Sequence, residues 1–117
     1  MLKKMILLSL AASFLLFSAG SVLAIDVEAG NKRKGKYTYR KFYKQCHARG
    51  GIETTRPLMN PDAKTQDQWV RTFERQSFDD FKCEEEWSNL SEKDLQDIFA
   101  YLHAHAADSP TPAKCKP

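Results

Sequence analysis

Apolar and polar positions fall into blocks of different period along this chain. Lys3 and Lys4 precede an apolar run from Met5 to Leu16, which continues in small residues to Val22-Leu23-Ala24. A basic start, a short apolar core and a small-x-small ending predict a secretory signal peptide over residues 1–24, cut after Ala24. The rival reading is an uncleaved membrane anchor, because the segment is nearly long enough to span. Ser9, Ser13, Ser18, Gly20 and Ser21 dilute it and favour cleavage. No cysteine stands directly after Ala24, so lipid attachment at that cut is not indicated.

The pattern then changes. Residues 25–34 are polar, with Gly30-Asn31, and read as a flexible lead-in. From Lys36 to about Ala48 the chain is helix-compatible, with Tyr39, Phe42, Tyr43 and Cys46 at i, i+3, i+4 and i+7 on one stripe. Gly50-Gly51 ends that helix. Ile52 to Asp62 is a loop punctuated by Pro57 and Pro61, and Thr65 caps a second helix carrying Trp69, Val70 and Phe73. Between Ser77 and Asn89, the residues Phe78, Phe81, Cys83 and Trp87 show no period, which predicts a loop or short turn. Ser91, followed by Glu92 and Asp94, starts a last helix with Leu95, Ile98, Phe99 and Leu102 at helical spacing through about Ala107. Asp108-Ser109-Pro110 stops it. No strand alternation or repeat is present, so the expected fold is all-α, a small bundle of about three to four helices.

Charge refines this picture. The 117-residue chain has a formal net charge of only +3, but the sign is unevenly placed. Lys32, Arg33, Lys34, Lys36, Arg40, Lys41, Lys44 and Arg49 make the first helix region basic. Asp79, Asp80, Glu84, Glu85, Glu86, Glu92, Asp94 and Asp97 make the later part acidic. Such a dipole can steer encounters with a charged protein partner, and solvated helix faces are the plainer alternative. Nucleic-acid binding has no support beyond the basic run, and export argues against it.

The chemistry concentrates at Tyr43-Lys44-Gln45-Cys46-His47. It reads as a Cys-x-x-Cys-His haem-attachment site in which Tyr43 replaces the first cysteine. Adjacent residues on a helix point roughly 100° apart, which disfavours a direct Cys46–His47 nucleophilic pair. There are three cysteines, an odd number, all in the exported part, where disulfides are permitted. If Cys83 pairs with Cys115, Cys46 remains, and a thioether to haem would account for it. A free or intermolecular Cys46 is the alternative, since spacing alone fixes no pairing. A zinc site drawn from these cysteines with His47, His103 and His105 lacks any compact ligand pair.

The run Gly35-x-x-x-Tyr39-x-x-x-Tyr43-x-x-Cys46-His47 resembles the N-terminal helix of small class I-like c-type cytochromes. Leu90-Ser91-x-x-x-Leu95-x-x-Ile98-Phe99-Ala100-Tyr101-Leu102 is similar to the C-terminal helix on which that family packs its glycine and aromatic. Pro57-Leu58 resembles the family's proline–leucine pair. The resemblance spans about residues 35–107 and implies a cytochrome c-like domain over 35–117, built around one haem. It implies a single thioether at Cys46, His47 as proximal iron ligand, and the Pro57 carbonyl fixing the His47 tautomer. The family's distal methionine position holds Cys83, so Met59, His103 and His105 are the candidate distal ligands. Bis-histidine ligation would lower the potential relative to methionine ligation, and an open position would admit small ligands. Trp69, Phe73, Phe81 and Trp87 would line the haem pocket or simply fill a core.

The leading expectation is therefore a periplasmic or otherwise exported monohaem c-type cytochrome. It would carry single electrons between redox protein partners, such as a membrane-bound redox complex, without substrate turnover, small-molecule substrate or nucleic acid. The alternatives are a haem-free cytochrome-like structural or interaction module held by a Cys83–Cys115 disulfide, and an open-site haem sensor.

Overall fold

A computed structural model describes residues 25–113 of the chain; the expected signal peptide and Cys115 lie outside the described residues. Within them the fold is all-α, as the periodicity predicts. The helices are α1 (Lys32–Ala48), α2 (Gln66–Arg75), α3 (Glu84–Ser88) and α4 (Glu92–Ala104), with 3-10 turns at Pro61–Ala63 and Asp79–Phe81. No strand occurs among the described residues.

The frame is the crossing of α1 on α4, the largest helix–helix contact. Gly35 makes it possible: a Cβ there would run into the backbone carbonyl of Asp97, so only glycine lets the two backbones meet. Beyond the crossing, Tyr39, Phe42, Tyr43 and Cys46 turn the α1 stripe inward, and all are buried. Ile98, Phe99 and Leu102 answer from α4 and are fully buried. Gly35 and Tyr39 of the first helix thus both pack on the last, the tyrosine against Tyr101 with ring centroids 6.2 Å apart.

The polar lead-in is not loose. Asn31 caps α1, its side chain accepting from the Lys34 N–H at 2.9 Å, while its own N–H donates to Asp97 Oδ1 at 2.8 Å. Gly30 is pressed against the Gln96 backbone, and the Gln96 side-chain amide donates to the Asp26 carbonyl at 2.7 Å. These contacts start the helix at Lys32 rather than Lys36. Capping outweighs the polar composition of the segment.

Helices α2 and α4 open as their caps predict. Thr65 with Gln68, and Ser91 with Asp94, form reciprocal capping boxes. Helix α4 ends at Ala104, short of Ala107, because the chain turns there: the Ala107 N–H donates to the Lys64 carbonyl at 3.0 Å. The unperiodic stretch 77–89 contains the second 3-10 turn and α3, each too short to show a period. Its aromatic residues complete the core. Phe78 stacks on Trp87 with centroids 4.2 Å apart, Phe81 meets Trp69 at 5.8 Å, and Trp87 meets Phe42 at 4.7 Å.

Candidate functional site at the end of the first helix

Cys46 sits in the last turns of α1, completely buried, and its Sγ is bonded to Cys83, the residue that precedes α3. The Cα atoms are 5.8 Å apart. This corrects the expected pairing of Cys83 with Cys115 and removes the thiol that was to form the haem thioether. The physical reason lies in the packing of α3 on α1: the 3-10 turn delivers Cys83 to the stripe position that helical spacing assigns to Cys46. Gly51 is needed beside the bond, because a Cβ there would stand 2.6 Å from the Cys46 sulfur. Lys82 and Cys83 both have φ of 57°, left-handed backbone that costs on the order of 1–3 kcal/mol per residue.

Two further contacts hold that geometry. The Tyr43 hydroxyl donates to the Phe81 carbonyl at 2.7 Å in a fully buried position. Burial pushes the phenol pKa of Tyr43 upward, so it stays a donor. Arg49 closes the other side: its Nε donates to Glu86 Oε2 at 2.7 Å and its Nη2 to Oε1 at 2.8 Å, a bidentate pair. Only 8% of Glu86 is exposed, so the residue expected on a solvated acidic face is instead turned inward. Its hydrogen bonds with Arg49 hold its carboxyl below the usual range. Arg49 Nη2 also lies 4.0 Å from the Cys46 sulfur.

Among the described residues, Cys46, Cys83 and Glu86 form the one cluster of at least three metal-ligand side chains, their ligand atoms within 4.8 Å of one another. The sulfurs are bonded to each other, so neither is a thiolate and the cluster is not a metal centre in this state. Among the described residues, His47, His103 and His105 join no such cluster; Cys115, the remaining member of the zinc set, lies outside them.

The remaining expected ligands stand in separate surroundings. His47 is exposed, with Nδ1 3.1 Å from the Ile52 carbonyl oxygen. The carbonyl beside the His47 ring is thus that of Ile52, while Pro57 lines a surface groove with Tyr39, Arg40 and Tyr101. Met59 packs part-buried against the core, and its carbonyl accepts from the Tyr39 hydroxyl at 2.7 Å. His103 lies beside Phe99 with ring centroids 5.2 Å apart; burial lowers its pKa, against the opposing pull of Asp108, Asp67 and Glu28. His105 has Nδ1 2.7 Å from the Thr111 carbonyl.

A covalent haem needs a free sulfur, an imidazole facing inward and a slot between aromatic walls. Here the Cys46 sulfur is bonded, His47 faces outward, and the expected wall residues pack on one another. Trp69, Phe73 and Phe81 are at most 1% exposed, and Phe73 meets Phe99 and Trp87 at 5.4 and 6.3 Å. The residues present do not fit the group. What the arrangement does is staple the C-terminal end of α1 to the loop before α3.

Sequence reasoning missed the Arg49–Glu86 pair and the Tyr43–Phe81 bond. Each joins residues about ten helical turns apart in the chain, beyond the reach of local patterning. No family model, curated protein or solved structure matches this chain.

Proposed function

We propose that this chain is an exported, haem-free interaction module. It has a cytochrome c-like crossing of first and last helices, held by the Cys46–Cys83 disulfide, and carries out no turnover of its own. One observation carries the reading: the sulfur that would anchor haem is already bonded to Cys83, in a core filled by aromatic side chains. Three features support it. Tyr43, in place of a cysteine, uses its hydroxyl to fix the loop before Cys83. An oxidising compartment suits a disulfide-stapled domain of this size. The segregation of basic and acidic residues suits a protein that meets a charged partner.

The test is expression with a cytochrome c assembly system, followed by a visible spectrum and intact mass. The module should lack a Soret band and show the bare processed-chain mass less the hydrogens lost to disulfide formation. A mass increase of one haem that survives acid–acetone extraction would overturn the proposal in favour of the electron carrier.

A further inference from the structure

Helix α1 is built against its own electrostatics. Seven of its 17 residues are Lys or Arg, namely Lys32, Arg33, Lys34, Lys36, Arg40, Lys41 and Lys44, and it contains no Asp or Glu. Its first turn carries no acid, although a helix N-terminus bears partial positive charge and favours anions there. Helices α2 and α4 follow the opposite rule, with Asp67, and with Glu92 and Asp94, in their first turns. Like charges also recur at i, i+4 through Lys32, Lys36, Arg40 and Lys44, a spacing that destabilises a helix. Among the described residues, none of these cations is paired with a carboxylate; the ion pairs involve Arg49 and Lys93. Among the described residues this charge therefore brings the fold no ion pair.

The cations form one face. At 100° per residue, Tyr37 and Lys44 stand about 180° around α1 from the buried line through Gly35 and Cys46, with Arg33, Arg40 and Lys41 flanking them. Tyr37 is 65% exposed, the most exposed large apolar side chain among the described residues, and Lys41 Nζ lies 5.9 Å from its ring centre. An exposed tyrosine flanked by Arg33 and Arg40 has the composition of an interface hot spot, and the lysines around it add long-range attraction.

We infer that this α1 face is the docking surface of the module, and that its occupant is a protein presenting a cluster of Asp and Glu side chains. The inference rests on the interaction-module reading and names its partner's chemistry. Charge complementarity selects carboxylates. A lipid surface fits less well: the apolar stripe of α1 is buried in the core and leaves the single ring of Tyr37 to insert, so headgroup attraction would have to supply nearly all of the binding. A second copy fits less well too. Joining the basic α1 face of one copy to the acidic α3 region of the next is head-to-tail, a contact that builds rings or open filaments rather than the common two-fold dimer.

The test uses the processed protein, labelled with nitrogen-15, and a Glu/Asp-rich peptide as the probe. Vesicles of phosphatidylglycerol and phosphatidylethanolamine form a second arm. The peptide should shift the amides of residues 33–44 selectively, and raising salt from about 50 to about 200 mM should weaken binding severalfold. The Lys36→Glu/Arg40→Glu/Lys44→Glu variant should lose at least about tenfold in affinity while remaining folded. Tyr37→Ala should weaken binding severalfold at unchanged charge, and Arg71→Glu on α2 should leave it unchanged. Shifts spread over other faces, an unaffected Tyr37→Ala variant, or tighter binding to the vesicles than to the peptide would overturn the inference. Haem incorporation would instead sink the underlying module reading and is read separately from the spectrum.

Discussion

Tyr43 and Phe81 are joined by a buried hydrogen bond of 2.7 Å, from the phenol hydroxyl to the backbone carbonyl, two residues before Cys83 meets Cys46. A side chain of the α1 stripe, one turn before Cys46, thus fixes the loop that supplies the disulfide partner. Tyr43→Phe keeps the ring and leaves the Phe81 carbonyl buried without a donor. The cost of such an orphaned group is about 1–3 kcal/mol. A domain of this size should then melt roughly 4 °C lower or more. Calorimetry of the purified variant checks it, and an unchanged melting temperature would mean the bond contributes nothing.

Gly35 supplies a sign test of the helix crossing. At an open helical position, Gly→Ala stabilises by roughly 0.5–1 kcal/mol. Here the new methyl would meet the Asp97 carbonyl, so α1 and α4 must separate. Gly35→Ala should destabilise by about 1–3 kcal/mol, the usual range for overpacking. Urea denaturation gives the sign directly, and a gain in stability would contradict the close approach.

The disulfide makes a prediction in both chemistry and stability. Unreduced peptide mapping should link Cys46 to Cys83, and Cys115→Ser should leave that link intact. Removing both bonded cysteines as Cys46→Ser/Cys83→Ser releases a loop of 37 residues, worth about 4 kcal/mol in the chain-entropy account. The denaturation midpoint should fall accordingly. A map joining Cys83 to Cys115 would restore the free thiol beside His47 and reopen the haem reading.

Much of the architecture was legible because it is local. The Tyr39–Phe42–Tyr43–Cys46 stripe, the Thr65 and Ser91 caps and the α4 periodicity all lie within one or two helical turns, where spacing determines facing. The segment 77–89 was not legible, since a 3-10 turn and a five-residue helix are shorter than the period that would reveal them. The site depended on that segment. Which cysteine Cys83 meets is set by left-handed backbone at Lys82 and Cys83, and no pattern in the sequence marks Lys82 for that conformation. The burial of Glu86 was hidden for the same reason: within Glu84-Glu85-Glu86, only the folded α3 shows that Glu86 takes the close contact with Arg49 at 2.7 Å while exposed Glu85 stands at 3.6 Å.

That carboxylate should make the fold acid-sensitive. The folded pKa of Glu86 lies below its ordinary 4.5, chiefly through hydrogen bonds from Arg49. Its stabilisation is therefore complete above the unfolded value and is lost as pH falls through the lower, folded one. His103 acts in the same direction at higher pH. Burial holds its folded pKa below 6.5, so the unfolded chain takes up a proton first and stability declines as pH drops through that region. Denaturation midpoints measured against pH should show two successive losses on acidification. His103→Gln should flatten the upper one alone. Glu86→Gln should remove the lower one while reducing stability at neutral pH, because Arg49 loses its bidentate partner and keeps only the exposed Glu85 at 3.6 Å. If Glu86→Gln keeps the full acid transition, the pair is not what ties α3 to α1, and the staple rests on the disulfide and Tyr43.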